Sequence, residues 1–572
     1  MSNINIDAAK ANTYDAIVIG SGISGGWAAK EFTEKGLKTL VLERGRDVQH
    51  IKDYPTTNMY PYEFAHKGEL TLAIKKENPI VSRCYAFRED AMHFMVKDKE
   101  HPYVQEKPFD WIRGYQVGGK SLLWARQTQR WSDFDFEGPA RDDFAVDWPI
   151  RYKDIAPWYS YAEKFAGISG NRDGLAELPD GDFLPGYPLN AAEDYFKGVL
   201  KNKYSSRHVI SARCAHLSKP NQIHLDQGRA KCQNRVLCQR GCPFGGYFSS
   251  NASTLPWAAK TGHLTLKPFS VVESVIYDDA KGKVTGVRVV DANTKVTTEY
   301  YAKVVFINAG ALNTNLILLN STSKRFPHGL GNDNGVLGKY VAFHNYSARI
   351  SAQYDGLKQF TTDGRNPAGG GYIPRFRNVF KQETNFKRGY AAGFSAGRYA
   401  ESNTDGVGPG LKNSLLHAPL GPWEVGSHMM GETIPKESNF VSLSNTKKDD
   451  WGIPQLNISV DYDENDALMK KDYIEQLTEM FTEAGFTNIK PNIEGQSPGL
   501  DIHEMGGARM GHDPKTSILN KWNQLHTSPN VFVTDGACMT STSTQNPSLT
   551  YMALTARAVD YAVSAMKKGE IV

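Results

Sequence analysis

Residues 14–46, YDAIVIGSGISGGWAAKEFTEKGLKTLVLERGR, leave few folds open to this chain. AIVIG is a short, nearly continuous apolar run of the kind that forms a buried parallel strand. It enters G-x-G-x-x-G at Gly20, Gly22 and Gly25. A helix-compatible stretch follows from Gly25 to Lys35, and Gly36 is placed to end it. KTLVLE then reads as a second strand, ending at Glu43, 23 residues after Gly20. Glycines at these positions let the backbone approach a pyrophosphate at the helix N-terminus, and an acid at the end of the second strand can bond ribose hydroxyls. Strand, glycines, helix, strand and acid fall in register, which predicts a dinucleotide site; an ordinary strand–turn–helix is the competing reading of the glycines alone. The motif does not separate NAD from FAD. Later segments that read as returns to the same sheet favour FAD.

A chain of 572 residues is too long for one simple core, so two or more domains are expected, possibly built from discontinuous segments. With 40% hydrophobic and 22% charged residues the composition is that of a folded enzyme, and a net charge of +4 gives no argument for nucleic acid. MSNINIDAAKANT has neither a basic start nor an apolar core, so no signal peptide is expected. No apolar run approaches the roughly 20 residues that cross a bilayer.

The rest of the chain supplies the returning segments. LTLKPFSVVESVIYD, KVTGVRVVD and TEYYAKVVFINAG read as consecutive strands rejoining the nucleotide-binding sheet. Residues 47–110 are Tyr-rich and aperiodic, an excursion over the surface. Short helices are expected around Trp158–Phe165 and Ala191–Val199. From 341 to 400 the pattern changes to long half-exposed strands, as in an antiparallel sheet walling a substrate site. The Gly/Pro-rich stretch 401–425 reads as a lid or a merely mobile loop. QLNISVDY alternates as a strand, and Asp463 is placed to cap a helix with Ile474, Leu477 and Phe481 on its apolar face. The expected organisation is thus α/β with a discontinuous Rossmann-like FAD-binding domain (1–150, 216–340 and 498–572) and a substrate domain (151–215 and 341–497).

Three of the six cysteines, Cys232, Cys238 and Cys242, fall within eleven residues, in a loop placed at 228–250. Disulfide pairing would leave one of them over. Zinc with His224 as fourth ligand is an alternative, although C-x5-C is wider than the usual zinc knuckle. Buried structural thiols are the plainest reading. The segment is polar, Gly-bearing and closed by Pro243, more like a loop wrapped around an iron–sulfur cluster. Three thiolates without a close fourth suit three irons better than four.

Four further blocks resemble the glucose–methanol–choline oxidoreductases. RGYQVGGKSLLWARQTQRW, 113–131, resembles the family's Gly-Gly loop over the flavin, with Gly118, Gly119 and Ser121 matching. KVVFINAGALNTNLILLNS, 303–321, is similar to its strand–AGA–helix signature. HEMGGARMG, 503–511, is similar to H-x-x-G-(T/G)-x-R-M-G, and 530–558 to the closing flavin segment. With the N-terminal unit they extend over nearly the whole chain. The resemblance is nearest to the sugar-oxidising branch: pyranose oxidases and the large subunits of gluconate, glucose and glucoside 3-dehydrogenases.

The resemblance implies an FAD enzyme in which His503 takes the hydroxyl proton and Asn546 holds the same oxygen. A base with a pKa near neutrality is what this chemistry needs, and histidine's ordinary value of about 6.5 suits it. It also implies backbone contacts to the cofactor from Val272, Asp535 and Gly536, and a helix beginning at Pro547 whose N-terminus favours negative charge on the flavin. Without the resemblance, Val272 reads as core, His503 as structural and Asn546 as a helix cap. Trp124 and Arg126 are candidates to line the site, Trp124 equally for packing; His428, His512 and His526 have no comparable context. Cys232, Cys238 and Cys242 match the ligands of a 3Fe-4S cluster in bacterial FAD-glucose dehydrogenases. Pyranose 2-oxidases link their flavin through a histidine where this chain has Leu123, so the FAD is expected to be non-covalent.

The leading expectation is a sugar or glycoside dehydrogenase, glucoside 3-dehydrogenase first, with C1 oxidation of glucose or C2 oxidation of gluconate next. Its electrons would pass through the cluster to cytochrome c or another acceptor. An oxidase and a non-catalytic electron-transfer flavoprotein are the alternatives. The cysteines speak against the first, since an oxidase needs no relay, and a base over the flavin speaks against the second. Large subunits of this branch are carried to the periplasm by a small partner subunit, which is the expected location here; the cytoplasm is the alternative.

Overall fold

The computed structural model describes residues 12–361, 370–401, 406–493 and 495–571. Most of the N-terminal stretch read above for a signal lies outside them. Thr13–Ile19 forms the middle of a seven-stranded sheet, parallel to Thr39–Leu42 on one side and Thr297–Ile307 on the other. Leu264–Lys267 extends the first side, Val531–Val533 pairs in parallel with 297–307, and Lys283–Asp291 and Ser270–Asp278 complete an antiparallel edge. The apolar run is buried on both faces, which is why it does not alternate. The register puts Ile19, Leu42, Ile307 and Val533 level at the carboxyl ends of their strands. Every segment leaving those ends therefore enters one crevice, where open parallel sheets bind their ligands.

The helix after the glycine turn spans Ile23–Glu34 and starts two residues earlier than the sequence suggests; Gly36 ends it with φ +80°. It packs against the terminal helix Ser548–Lys567, as does Tyr152–Ala166. Residues 47–110 do more than cross the surface. Val48, Tyr54, Val81, Phe87 and Phe94 bury a cluster of their own against Leu122 and Leu123 of the Gly-Gly loop.

A second seven-stranded sheet carries Arg349–Tyr354, Leu420–Glu432, Tyr390–Ala400 and Gly371–Ile373, antiparallel as expected. Glu464–Glu483 packs on it, capped by Asp463, whose side chain accepts from Asp466 N, and its buried face includes Leu477 and Phe481. The Gly/Pro-rich stretch departs from the lid reading. Gly408–His417 is a helix and Leu420–Glu432 a long strand; 402–405 fall outside the described residues. Pro409 sits in the first turn of that helix, where its missing N–H costs nothing. Pro422 lies in the half-exposed first part of the strand.

A five-stranded sheet links the two layers through Lys339–Ala342 and Met505–Gly507. The chain then crosses: His344–Asn345 pairs with Glu432 and Gly431 of the second sheet. Glu432 is fully buried there and accepts from Arg388 Nε at 2.9 Å and Arg375 Nη2 at 3.0 Å, and these arginines reach Asp142 and Asp135. The network fastens the second sheet to segment 133–142. Breaking such a buried set from one side leaves charges uncompensated, so Glu432→Ala is expected to lower stability by about 3–5 kcal/mol. An unchanged denaturant midpoint would contradict that assignment.

Candidate active site

One cavity of about 580 Å³ opens at the carboxyl ends of the parallel strands. Its wall includes Gly20, Gly22, Glu43, Gly119, Ser121, Val272, Asp535, Gly536, Asn546, Pro547 and His503, together with Trp124 and Arg126. Gly25 and Gly118 stand behind the wall. A Cβ at Gly25 would lie 1.9 Å from Gly20 O, and one at Gly118 1.7 Å from Asn251 Oδ1. Gly22 differs: a Cβ there meets no atom within 4 Å. Its open side is the cradle a pyrophosphate needs.

Glu43 is buried in this wall, and its carboxylate accepts from Ser21 N at 3.1 Å, Ser21 Oγ at 2.6 Å and Gly45 N at 3.0 Å. Burial raises its pKa despite these donors. Ser21 Oγ in turn accepts from Gly118 N at 2.9 Å, which clamps the Gly-Gly loop onto the glycine turn. Ser121 works within that loop: its hydroxyl donates to Gly118 O at 2.6 Å and accepts from Ser250 N at 3.0 Å. Asp535 accepts from Gly310 N, Thr314 Oγ1 and Ala537 N, joining the ends of strands 297–307 and 531–533. Burial pushes its carboxyl up to about 6.

His503 is held from two sides. Its Nε2 lies 3.2 Å from Asn546 Nδ2 and its Nδ1 2.9 Å from His344 Nδ1. Ile502, just before it, has φ +65°, a strained conformation for a β-branched residue and one that tends to mark functional sites. Burial first, then His344 and Lys120, hold His503 well below the ordinary value of 6.5. The helix cap that Asn546 reads as without the family resemblance does not form. Pro547 occupies the N-cap position of the terminal helix without a side-chain cap, and the Asn546 amide is spent on His503.

Sequence reasoning missed His344 and Asp501. Asp501 Oδ2 accepts from His344 N at 2.8 Å, and burial raises its carboxyl to about 7. Three donor atoms of His344, Asp501 and His503 lie within 4.8 Å of one another, a spacing open to a cation. The 2.9 Å contact between the two δ nitrogens is instead a hydrogen-bond length and engages both atoms. His428 lines the cavity too, and burial lowers its pKa to about 4; His512 is exposed and His526 bonds Ser517 Oγ at 3.0 Å, away from that wall.

The cysteines sit beside this cavity. Cys232, Cys238 and Cys242 wall a second, small one of about 30 Å³ with His216, Tyr247 and Phe244, and Cys238 borders both. His224, the candidate fourth zinc ligand, is absent from that wall; its ring bonds Asn221 N and Lys164 O.

Residues 104–344 and 435–555 match the N-terminal and C-terminal parts of the family described as GMC oxidoreductase. The chain belongs to the GMC oxidoreductases. It is 27% identical over 96% of its length to 2-methyl-1,2-propanediol dehydrogenase of Mycolicibacterium austroafricanum, covering 95% of that protein. It is 26% identical to the fructose dehydrogenase large subunit of Gluconobacter japonicus over the whole of both chains. With the gluconate 2-dehydrogenase flavoprotein of Pantoea cypripedii it shares 27% identity, over 95% of this chain and 92% of that one. Pyridoxine 4-oxidase from Mesorbium loti has the same fold (TM-score 0.61, 15% identity, 96% of this chain and 99% of that one). This GMC protein is therefore an FAD-binding oxidoreductase acting on CH–OH donors, with a two-domain α/β fold.

The cavity fits FAD on the chain's own evidence, since Gly22 leaves open space where a side chain would stand and Glu43 stays in the wall. Gly22→Val is expected to fold, because no atom meets the added Cβ, and to lose the yellow colour. A variant that retains stoichiometric FAD by absorbance would place the pyrophosphate elsewhere.

Proposed function

We propose that this chain is the flavin-bearing subunit of a sugar dehydrogenase that oxidises a secondary hydroxyl of a pyranoside. Glycoside to 3-keto-glycoside is the preferred reaction. The observation that carries the chemistry is the pairing of His503 Nε2 with Asn546 Nδ2 at 3.2 Å, in the wall that also holds Gly22 and Glu43. Two relatives are named for fructose and gluconate, which supports a carbohydrate donor. The ring position rests on the resemblance to glucoside 3-dehydrogenases.

When bound, FAD supplies the hydride acceptor. The chain's residues supply the rest. Gly20, Gly22 and Glu43 hold the nucleotide end, and Leu123 can form no covalent link. His503, kept neutral by burial, accepts the hydroxyl proton at Nε2, and the Asn546 amide holds the same oxygen. The N-terminus of helix 548–567 favours negative charge in the cavity it borders.

For electron export we assign Cys232, Cys238 and Cys242 as ligands of a 3Fe-4S cluster, which supplies a one-electron relay. Two observations support this. All three residues border one cavity in whose wall, among the described residues, there is no carboxylate. Arg126 and Arg229 are buried nearby without a carboxylate partner among the described residues. A buried cation needs an anion, and a thiolate-ligated cluster is one. In this reading cytochrome c or another external acceptor takes the electrons. A small partner subunit carries the chain to the periplasm, with the cytoplasm as the alternative compartment.

Two experiments test the reading. His503→Ala is expected to slow flavin reduction by a pyranoside about 10²–10⁴-fold in stopped flow while FAD stays bound. Because burial depresses the pKa of His503, the wild-type rate is expected to stay level as pH falls through 6.5, where an ordinary histidine would half-protonate. A wild-type rate in His503→Ala removes the base assignment; a product carbonyl at C1 or C2, seen by NMR, removes only the 3-position. Separately, the oxidised enzyme is expected to show an iron–sulfur EPR signal that disappears on reduction. Zinc without iron on metal analysis would refute the cluster.

A further inference from the structure

We infer that His344 is a positioning residue that fixes the tautomer of His503, keeping Nε2 the unprotonated nitrogen that takes the substrate proton. This rests on the reading of His503 as the base. The local fold makes the contact obligatory. Ala342 pairs with Met505 in an antiparallel register, so two residues further along His344 faces His503. Asp501 then secures the crossing strand by accepting from His344 N at 2.8 Å.

The hydrogen-bond chain has one consistent solution for neutral rings. His344 Nε2 lies 3.1 Å from Thr542 O, a carbonyl that can only accept, so His344 Nε2 carries the proton. His344 Nδ1 is then an acceptor, and across 2.9 Å His503 Nδ1 must donate to it. That leaves His503 Nε2 as the unprotonated nitrogen, 3.2 Å from the donating amide of Asn546. Between the two rings no proton has to move before the substrate's O–H proton passes to Nε2; the Asn546 amide only has to turn from Nε2 to the substrate oxygen. The imidazolium that forms keeps its Nδ1–H on the His344 lone pair, which stabilises the new charge. Because the chain ends on a backbone carbonyl, it orients and stabilises rather than passing the proton on.

The sequence gives no sign of this. His344 lies in VAFHNYSARI, outside every block that resembles the family's motifs, and 159 residues from His503. Its ring is fully buried, and burial holds its own pKa near 4, so it stays neutral through the physiological range.

The test uses the FAD-loaded enzyme with [15N]histidine labelling and two variants. In the wild type, His503, assigned by its loss in His503→Ala, is expected to show a protonated Nδ1 and a pyridine-type Nε2. His344→Phe keeps bulk but removes the acceptor. It is expected to mix or reverse that tautomer and to slow flavin reduction at saturating substrate by at least about tenfold, within the ~10²–10⁴ that a positioned base contributes altogether. His344→Gln, which restores an acceptor for His503 and a donor for Thr542 O, is expected to recover most of the rate and the wild-type tautomer. A wild-type spectrum with the proton on His503 Nε2 overturns the inference even if His344→Phe fails to fold. So does a folded His344→Phe with wild-type rate, or His344→Gln no faster than His344→Phe. If His503→Ala itself reduces at the wild-type rate, the base reading falls instead; a slow His503→Ala beside a fast His344→Phe sinks only the role of His344.

Discussion

The site depends on a backbone contact that only glycine permits. Gly20 turns with φ +93°, and a Cβ there would lie 2.3 Å from Asn308 O. That approach brings the ends of strands 13–19 and 297–307 together with no side chain between them. The crevice so formed is bordered by backbone, which is what a pyrophosphate requires. Ser21, next in line, ties Glu43 and Gly118 into the same turn through one hydroxyl. Cofactor cradle and Gly-Gly loop thus share a single turn, and the buried cluster of residues 47–110 packs on that loop and reaches the cavity wall itself through Cys84, Ala86 and Met95.

Around this turn the chain buries charge in two different ways. Glu43 and Asp535 are surrounded by N–H and hydroxyl donors, which make burial tolerable, yet their pKa values still rise because desolvation outweighs the donors. The histidines answer burial by staying neutral, and for His503 that neutrality is the property a base needs. Arg126 and Arg229 have no such escape. Each bonds backbone carbonyls, and Arg126 also lies over the Tyr247 ring at 4.3 Å, but neither meets a carboxylate among the described residues.

Local sequence alone misleads at three places. Without the family resemblance Asn546 reads as a cap, as Asn before Pro at a helix start usually is, but its amide bonds His503, a residue local sequence cannot supply. Residues 408–432 looked like a loop because Gly and Pro punctuate them; helix 408–417 takes its Pro in the first turn, and the strand is held by pairing on both sides. His428 looked inert for want of a motif, yet that same strand carries it to the cavity wall. For Asn546 and for 408–432 long-range contacts overrode a local preference worth about 1 kcal/mol.

What the sequence determined by itself was the part of the protein in which function is written into contiguous backbone. The glycine turn, Glu43, the Gly-Gly loop and HEMGGARMG are each contiguous over a few residues, so periodicity, spacing and family resemblance could read them. The tertiary structure alone decided how those pieces converge: that Cys238 borders the flavin cavity, that Asn546 meets His503, and that His344, 159 residues away, lies against that histidine's other nitrogen. The reason is register. An antiparallel pairing between residues 342 and 505 fixes which side chains face each other, and nothing in either strand taken alone specifies the other's alignment.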